Sequence, residues 1–261
     1  MTLKQVSLAA SLLLTGVAPA VMPPQQVISL APSLTQMVRE LGAEDRLVAV
    51  TPWCEAPEDI PPVAGGIQPE VEAVLGLAPD LVLATSMTPA TTRNQLSQLG
   101  LRVEVIDATS LEEIQSGLAR LADILEVEPP PPLFKKSVRS ELSAALLFGA
   151  ETGYSAGCGT HAHEILEAAG LRNIAAEAGG PWPQLGEEFL LAKDPQVIIV
   201  AEYGNTDRAT VLQALRADPV RRHLAAVRNG RIIIFPAQAF SVPGPAALEA
   251  AETLRAALEN L

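Results

Sequence analysis

Aromatic residues are scarce in this chain, at 3% of 261 residues, whereas 48% are hydrophobic. The core must therefore be built from Ala, Leu, Val and Ile, and the few rings stand out as candidates for other work. Cysteine is scarcer still. Cys54 and Cys158 are the only two, which excludes a disulfide-dense scaffold and an all-cysteine zinc site. Cations are few as well: 18 Lys and Arg stand against 30 Asp and Glu, for a net charge of −12. That balance argues against nucleic acid as a partner, since phosphate binding needs clustered Lys and Arg. Beyond residue 20 no apolar run is long enough to span a bilayer. A Walker loop and the glycine fingerprint of dinucleotide-binding folds are also missing after the first strand.

What is present is a phrase that occurs twice. The first copy reads Glu72-Ala-Val-Leu-Gly-Leu-Ala-Pro79-Asp-Leu-Val-Leu83, and the second Glu188-Phe-Leu-Leu-Ala-Lys-Asp-Pro195-Gln-Val-Ile-Ile-Val200. In each a glutamate opens a short apolar helix, a proline seven residues on ends it, and a run suited to a strand buried on both faces follows. A repeat at this distance points to two similar α/β lobes.

The order of elements fits that reading. Residues 1–20 have the pattern of a cleavable export signal: Lys4, an apolar stretch over 6–17 and Ala18-Pro19-Ala20. No lipobox cysteine follows, so the sequence predicts a soluble periplasmic monomer without a lipid anchor. Strands are predicted at 27–30, 47–50, 81–84 and 103–106 in a first lobe spanning 21–109. Ser33 and Ser110 open capping-box patterns. A helical interlobe connection over 110–143 is broken near the four prolines at 129–132, with a helix predicted again over 134–142. The second lobe, 144–261, carries strands at 145–148, 197–200 and 232–235. Thr160 is a predicted N-cap, and a C-terminal amphipathic helix covers 245–259. The fold class is α/β, with two small parallel sheets flanked by helices.

Ligands of α/β proteins sit at loops following strand C-termini. Those loops hold Trp53 beside Cys54, Tyr154, Trp182 between Pro181 and Pro183, and Phe240 beside Ser241. Cys158, His161 and His163 raise the alternative of a metal site or a small Cys/His metal enzyme. Two histidines at i, i+2 on a helix point to different faces, however, and we expect no metal site and no catalytic residue. The glycines around Cys158 are read as admitting backbone close to a bulky ligand. Cys54 and Cys158 are expected to be free thiols near that ligand, because a bond between facing lips would staple the cleft.

From Val27 onward the chain resembles the substrate-binding proteins of ABC importers for cobalamin, ferric siderophores and haem, most of all the cobalamin-binding members. The segments carrying the likeness are Val27-Ile-Ser-Leu-Ala-Pro-Ser33, Gly65 to Leu83, Leu101 to Ile114, Gly153-Tyr-Ser-Ala-Gly157, Ala169-Gly-Leu-Arg-Asn-Ile174 and Pro181-Trp-Pro-Gln184. The resemblance implies two lobes on a rigid helical backbone that move little on binding. It implies ligand held between aromatic walls, with Trp53, Tyr154 and Trp182 at aromatic positions. Gly66 and Thr85 stand where further tryptophans occur in those members, and Gln238 and Val242 where charged pocket residues do. It also implies that Glu72 and Glu188 engage arginines of a membrane permease. The expected ligand is cobalamin or a related corrinoid, with ferric siderophore and haem as alternatives. A periplasmic sensor module is the alternative of another class.

Overall fold

The computed structural model describes residues 22–58, 60–63, 69–132, 142–204 and 206–261. The expected signal segment, Gly66 and nearly all of the helix expected over 134–142 lie outside the described residues. Two four-stranded sheets carry the structure, and every strand pair is parallel. The first holds β1 (Val27–Ser29), β2 (Leu47–Val50), β3 (Leu81–Ala84) and β4 (Val103–Val105) in the order β2-β1-β3-β4. The second holds β5 (Ser143–Phe148), β6 (Arg172–Asn173), β7 (Val197–Glu202) and β8 (Ile232–Pro236) in the order β6-β5-β7-β8. The strand order is the same in both.

Ten helices surround the sheets among the described residues. They are α1 (Pro32–Glu40), α2 (Val71–Gly76), α3 (Ala90–Gln98), α4 (Leu111–Leu125), α5 (His161–Ala168), α6 (Glu187–Lys193), α7 (Arg208–Ala217), α8 (Ala225–Arg228), α9 (Gln238–Ser241) and α10 (Pro245–Glu259). Ser110 forms the expected capping box with Glu113, and the Thr160 hydroxyl caps α5 by accepting from the His163 N–H. Ser33 does not cap α1. The helix begins two residues earlier than that cap would set it, at Pro32, whose fixed φ suits the first helical position, and Ala31 is the N-cap without a side-chain bond.

The repeated phrase is repeated in three dimensions. Helices α2 and α6 both end at a residue in the left-handed region just before the proline: Ala78 at φ 45° and Asp194 at φ 36°. Next, the backbone N–H of Asp80 donates to the Gln26 carbonyl, and that of Gln196 to the Ser143 carbonyl, at 2.8 and 2.9 Å. The side chains of these two residues return the tie. Asp80 Oδ2 accepts from the Gln26 N–H at 3.0 Å, and Gln196 Oε1 from the Ser143 N–H at 3.1 Å. Each phrase therefore anchors its strand to the start of the neighbouring one.

Both sheets also blunt an exposed edge with arginine. Arg120 donates to the Val105 carbonyl at the β4 edge, and Arg208 to the Ile232 and Gly230 carbonyls at the β8 edge. One apolar cluster runs through both halves, joining Leu34, Ile114 and Leu118 to Ile165, Leu248 and Leu254. Helix α10 packs on α1, α4 and α5, so the C-terminal helix seals the two sheets together. No helix among the described residues is long and apolar enough to cross a membrane.

Candidate functional site

The loops at the strand C-termini of the two sheets face each other. Two hydrogen bonds set their relation. Gln238, after β8, donates from Nε2 to Glu55 Oε1, after β2, at 2.7 Å. Glu164 of α5 accepts from the Leu111 N–H, at the start of α4, at 2.7 Å. The lips therefore run in opposite order, the β2 loop meeting the β8 loop and the β4 loop meeting the segment after β5.

A hollow of about 460 Å³ opens at these lips. Its first-half lining is Ala31–Ser33, Thr51, Trp53, Thr85–Thr88 and Asp107–Thr109, and Ser241–Pro243 close it from the second half. Its loops are held from beneath. Thr35 donates to the Ser29 hydroxyl at 2.8 Å, and Ser29 to the Ala31 carbonyl, fixing the turn after β1. Asp107 accepts from the Ser86 N–H at 2.7 Å and ties the β4 loop to the β3 loop. The wall is mainly apolar, with Leu30, Pro32, Trp53, Met87 and Val242, and Thr85, Ser86 and Thr109 set polar groups among them. Among the described residues it contains no Lys, Arg or His.

The opposite lip is aromatic. Residues 153–157 and 181–185 form a short antiparallel ribbon, with Leu185 N–H to Gly153 carbonyl, Ser155 to Pro183 and Gly157 to Pro181 at 2.7, 3.0 and 2.8 Å. The alternation of an extended ribbon puts Tyr154 and Trp182 on one of its faces, and Trp182 packs on Phe148 with centroids 6.0 Å apart. The glycines serve this ribbon: a Cβ on Gly153 would come within 2.5 Å of the Leu185 carbonyl oxygen, and one on Gly157 would strike the Gly180 carbonyl. The close approach they permit is of backbone to backbone; for Gly157, one of the two glycines beside Cys158, the sequence reading assigned it to a ligand. Arg221, buried, donates to the carbonyls of Ala150, Glu151 and Thr152 and pins the turn leading into Tyr154. Asn173 donates to the Ala156 carbonyl at 2.7 Å while its Oδ1 accepts from the Ala175 N–H.

All Trp and Tyr residues of the chain share one kind of position. Trp53 is 71% exposed, Tyr154 56%, Trp182 50% and Tyr203 68%, and they follow β2, β5, β6 and β7 respectively. Exposed large rings gathered at one end of the sheets mark a binding surface. Trp53 and Ser241 line the hollow itself, whereas Tyr154 and Trp182 stand on the facing lip outside it. Tyr203 and the exposed Met87 escaped the sequence reading. The rule that singled out the other rings, an aromatic just past a buried strand, applies equally to Tyr203.

Phe240 requires a correction. It was expected at the cleft wall, yet it is fully buried and packs edge-on against Phe235 at 5.3 Å. The short helix α9 turns its ring inward and leaves Ser241 at the hollow. Cys54 is half-buried against the core, its Sγ 3.1 Å from Thr51 Oγ1. Cys54 and Cys158 are not bonded to one another.

The histidines diverge as their spacing predicts. His161 is buried, hydrogen-bonded to the Phe240 backbone, with Nε2 unpartnered, and desolvation lowers its pKa to about 4. His163 lies the other way, its Nδ1 3.1 Å from Asn173 Nδ2 and its Nε2 4.0 Å from Cys158 Sγ and 3.6 Å from Glu167. The Asn173 amide donates, so Nδ1 accepts and the ring proton sits on Nε2. Among the described residues no group of three His, Cys, Asp or Glu side chains could hold a metal ion.

Glu72 and Glu188 are both exposed, each in the first turn of its helix, one on each half. Their equivalence follows from the repeated phrase.

Two matching α/β halves, a shared core and an open, aromatic-lipped cleft between them give the architecture of a two-lobed binding protein. The chain belongs to the periplasmic binding protein family, which it matches over residues 27–128 and 133–239. It is 32% identical over 197 residues to the vitamin B12-binding protein of Yersinia pestis, covering 68% of this chain and 69% of that one. It is 29% identical over 213 residues to the vitamin B12-binding protein of Pectobacterium atrosepticum, covering 73% and 76%. Among solved structures, the periplasmic vitamin B12-binding protein of Vibrio cholerae matches with a TM-score of 0.67 at 25% identity, covering 92% of this chain and 98% of that one. The proteins to which it is similar are binding proteins, and the chain is a binding protein rather than an enzyme.

Proposed function

We propose that this chain captures a bulky metal chelate, foremost cobalamin or a related corrinoid, and delivers it to an ABC permease in the inner membrane. The observation that carries the reading is the placement of Trp53, Tyr154, Trp182 and Tyr203 at the cleft lips. Flat rings in the open are costly unless they meet a flat apolar ligand, and stacking on a macrocycle supplies that partner. At about 460 Å³ the hollow holds part of such a ligand, which then extends onto the Tyr154–Trp182 lip. The likeness to vitamin B12-binding proteins supports the same choice.

Charge narrows the ligand further. Haem carries two carboxylates and catecholate siderophore complexes carry more negative charge, and the described lining offers neither a cation. A corrinoid presents neutral amides around its ring, which suit the Thr and Ser hydroxyls. An uncharged ferric siderophore is the second reading, on those same hydroxyls.

Ligand contacts in this reading come from Trp53, Tyr154, Trp182 and Ser241, with Cys54 and Cys158 as further candidates; Gly66, also expected from the sequence, lies outside the described residues. Phe240 has no part in it. Glu72 and Glu188 form the docking pair, two exposed carboxylates on separate lobes that would set orientation on arginine pockets of the permease. We place the lobes at 21–109 and 144–261, joined through 110–143, with residues 1–20 as the export signal.

Purified from the periplasm, the protein should carry a corrinoid absorption spectrum and bind cyanocobalamin stoichiometrically. Bound haem, or no corrinoid binding, would overturn the reading. Reversing both Glu72→Arg and Glu188→Arg should abolish uptake while leaving ligand affinity unchanged. Undiminished uptake would favour a sensor module with another partner.

A further inference from the structure

Tyr203, like Trp53 on the other half, is an exposed ring that lies in neither the repeated phrase nor the ribbon. It follows β7 directly, and β7 lies between β5 and β8 in the sheet. Its place along the lip is therefore between Tyr154, after β5, and the Ser241 loop, after β8. Among the described residues no ring packs on it and no hydrogen bond reaches its hydroxyl. Beside it lies a separate hollow of about 490 Å³, lined by Glu202, Gly204, Thr206, Pro236 and Gln238 together with Tyr203. Gln238 is also the residue that reaches across to Glu55, so this hollow adjoins the contact between the lips. It combines one flat aromatic face with a carboxylate, a hydroxyl and an amide.

That combination differs from the surface a macrocycle requires. An aromatic platform edged by hydrogen-bonding groups suits a heteroaromatic base attached to a sugar: the base stacks, and the sugar hydroxyls bond to carboxylate and amide. Complete corrinoids carry such a unit on an arm beside the ring. We propose that Tyr203 is a specificity-determining residue of the cleft and that the hollow beside it receives the base and ribose of a complete corrinoid. The assignment rests on the corrinoid reading above. It divides the work of the second lobe: Tyr154 and Trp182 face the ring, and Tyr203 faces the arm.

Cyanocobalamin and dicyanocobinamide share the corrin ring and differ in that arm, so a paired titration isolates the claim. Wild type, Tyr203→Phe, Tyr203→Leu and Tyr203→Ala are titrated with each by calorimetry, with circular dichroism melts as the fold control. Tyr203→Ala should lose about 5- to 30-fold in affinity for cyanocobalamin and stay within roughly 2-fold for cobinamide. Tyr203→Leu, which keeps bulk without a stacking face, should show the same split, and Tyr203→Phe should match wild type. Equal losses on both ligands, or none on either, would overturn the assignment while leaving the corrinoid reading intact. Wild-type protein that binds neither corrinoid would overturn both.

Discussion

The two halves of this protein share a scaffold and differ in their walls. Strand order, the left-handed residue before each proline, the tie from the following side chain and the arginine at the sheet edge all recur. The lips do not. The first half offers Thr and Ser hydroxyls around a single Trp53, whereas the second raises Tyr154, Trp182 and Tyr203 on buttressed loops. What recurs is backbone pairing and helix termination, which any copy of this lobe needs to fold. What varies lies in loops, where side chains are released from packing and can be matched to a ligand.

Buttressing is the sharpest contrast. Arg221 holds three carbonyls of the second half from a buried position, with its Nε unpartnered. Arg46 holds the Pro24 and Leu125 carbonyls of the first from a part-buried one. Arg221→Met should cost about 3 kcal/mol, since it strands buried acceptors, and Arg46→Met about 1 kcal/mol. Urea midpoints for the two variants measure this, and equal losses would break the comparison.

All the histidines lie in the second half, and His161 is buried there in its neutral form. Burial lowers its folded pKa to about 4, from the ordinary histidine value of 6.5. The unfolded chain thus binds the extra proton between those values, and stability falls as pH drops from about 6.5 toward 4. The loss attributable to this group should approach roughly 3 kcal/mol. Hydrogen exchange at pH 5 should find the second sheet opening before the first, and His161→Leu should flatten the slope. A slope unchanged in that variant would assign the acid sensitivity elsewhere.

The walls can be weighed against each other by affinity. Trp182→Ala should weaken corrinoid binding by about 10- to 30-fold and Trp53→Ala by about 3- to 10-fold, because Trp182 acts together with Tyr154. The reverse order would make the first lobe the main platform. The smallest effect tests the repeat itself. Asp80→Ala and Gln196→Ala remove equivalent ties and should each cost about 1 kcal/mol, read as matched shifts in thermal midpoint.

Much of the scaffold was legible in the sequence. The repeated phrase located β3 and β7 and set Glu72 and Glu188 in equivalent first turns, and the Ser110 and Thr160 caps form as their spacing predicts. Strand β6 escaped because it has two residues and exists only through pairing with Ser143 and Ala144. The ribbon joining 153–157 to 181–185 was hidden for a related reason: its partners are distant in sequence and Pro181 and Pro183 obscure any strand pattern. Phe240 was misread because it follows β8 in a segment expected to be a loop, and the one-turn helix that buries its ring has no periodicity to read.

The sequence by itself determined the α/β class, the duplication and the short supply of rings, since these rest on local periodicity, capping chemistry and composition. Tertiary structure alone decided which rings stand exposed at the cleft lips, how Gly153 and Gly157 are used and where Tyr203 stands. Those outcomes depend on contacts between segments far apart in the chain, and a contact of that kind leaves no pattern in either segment alone.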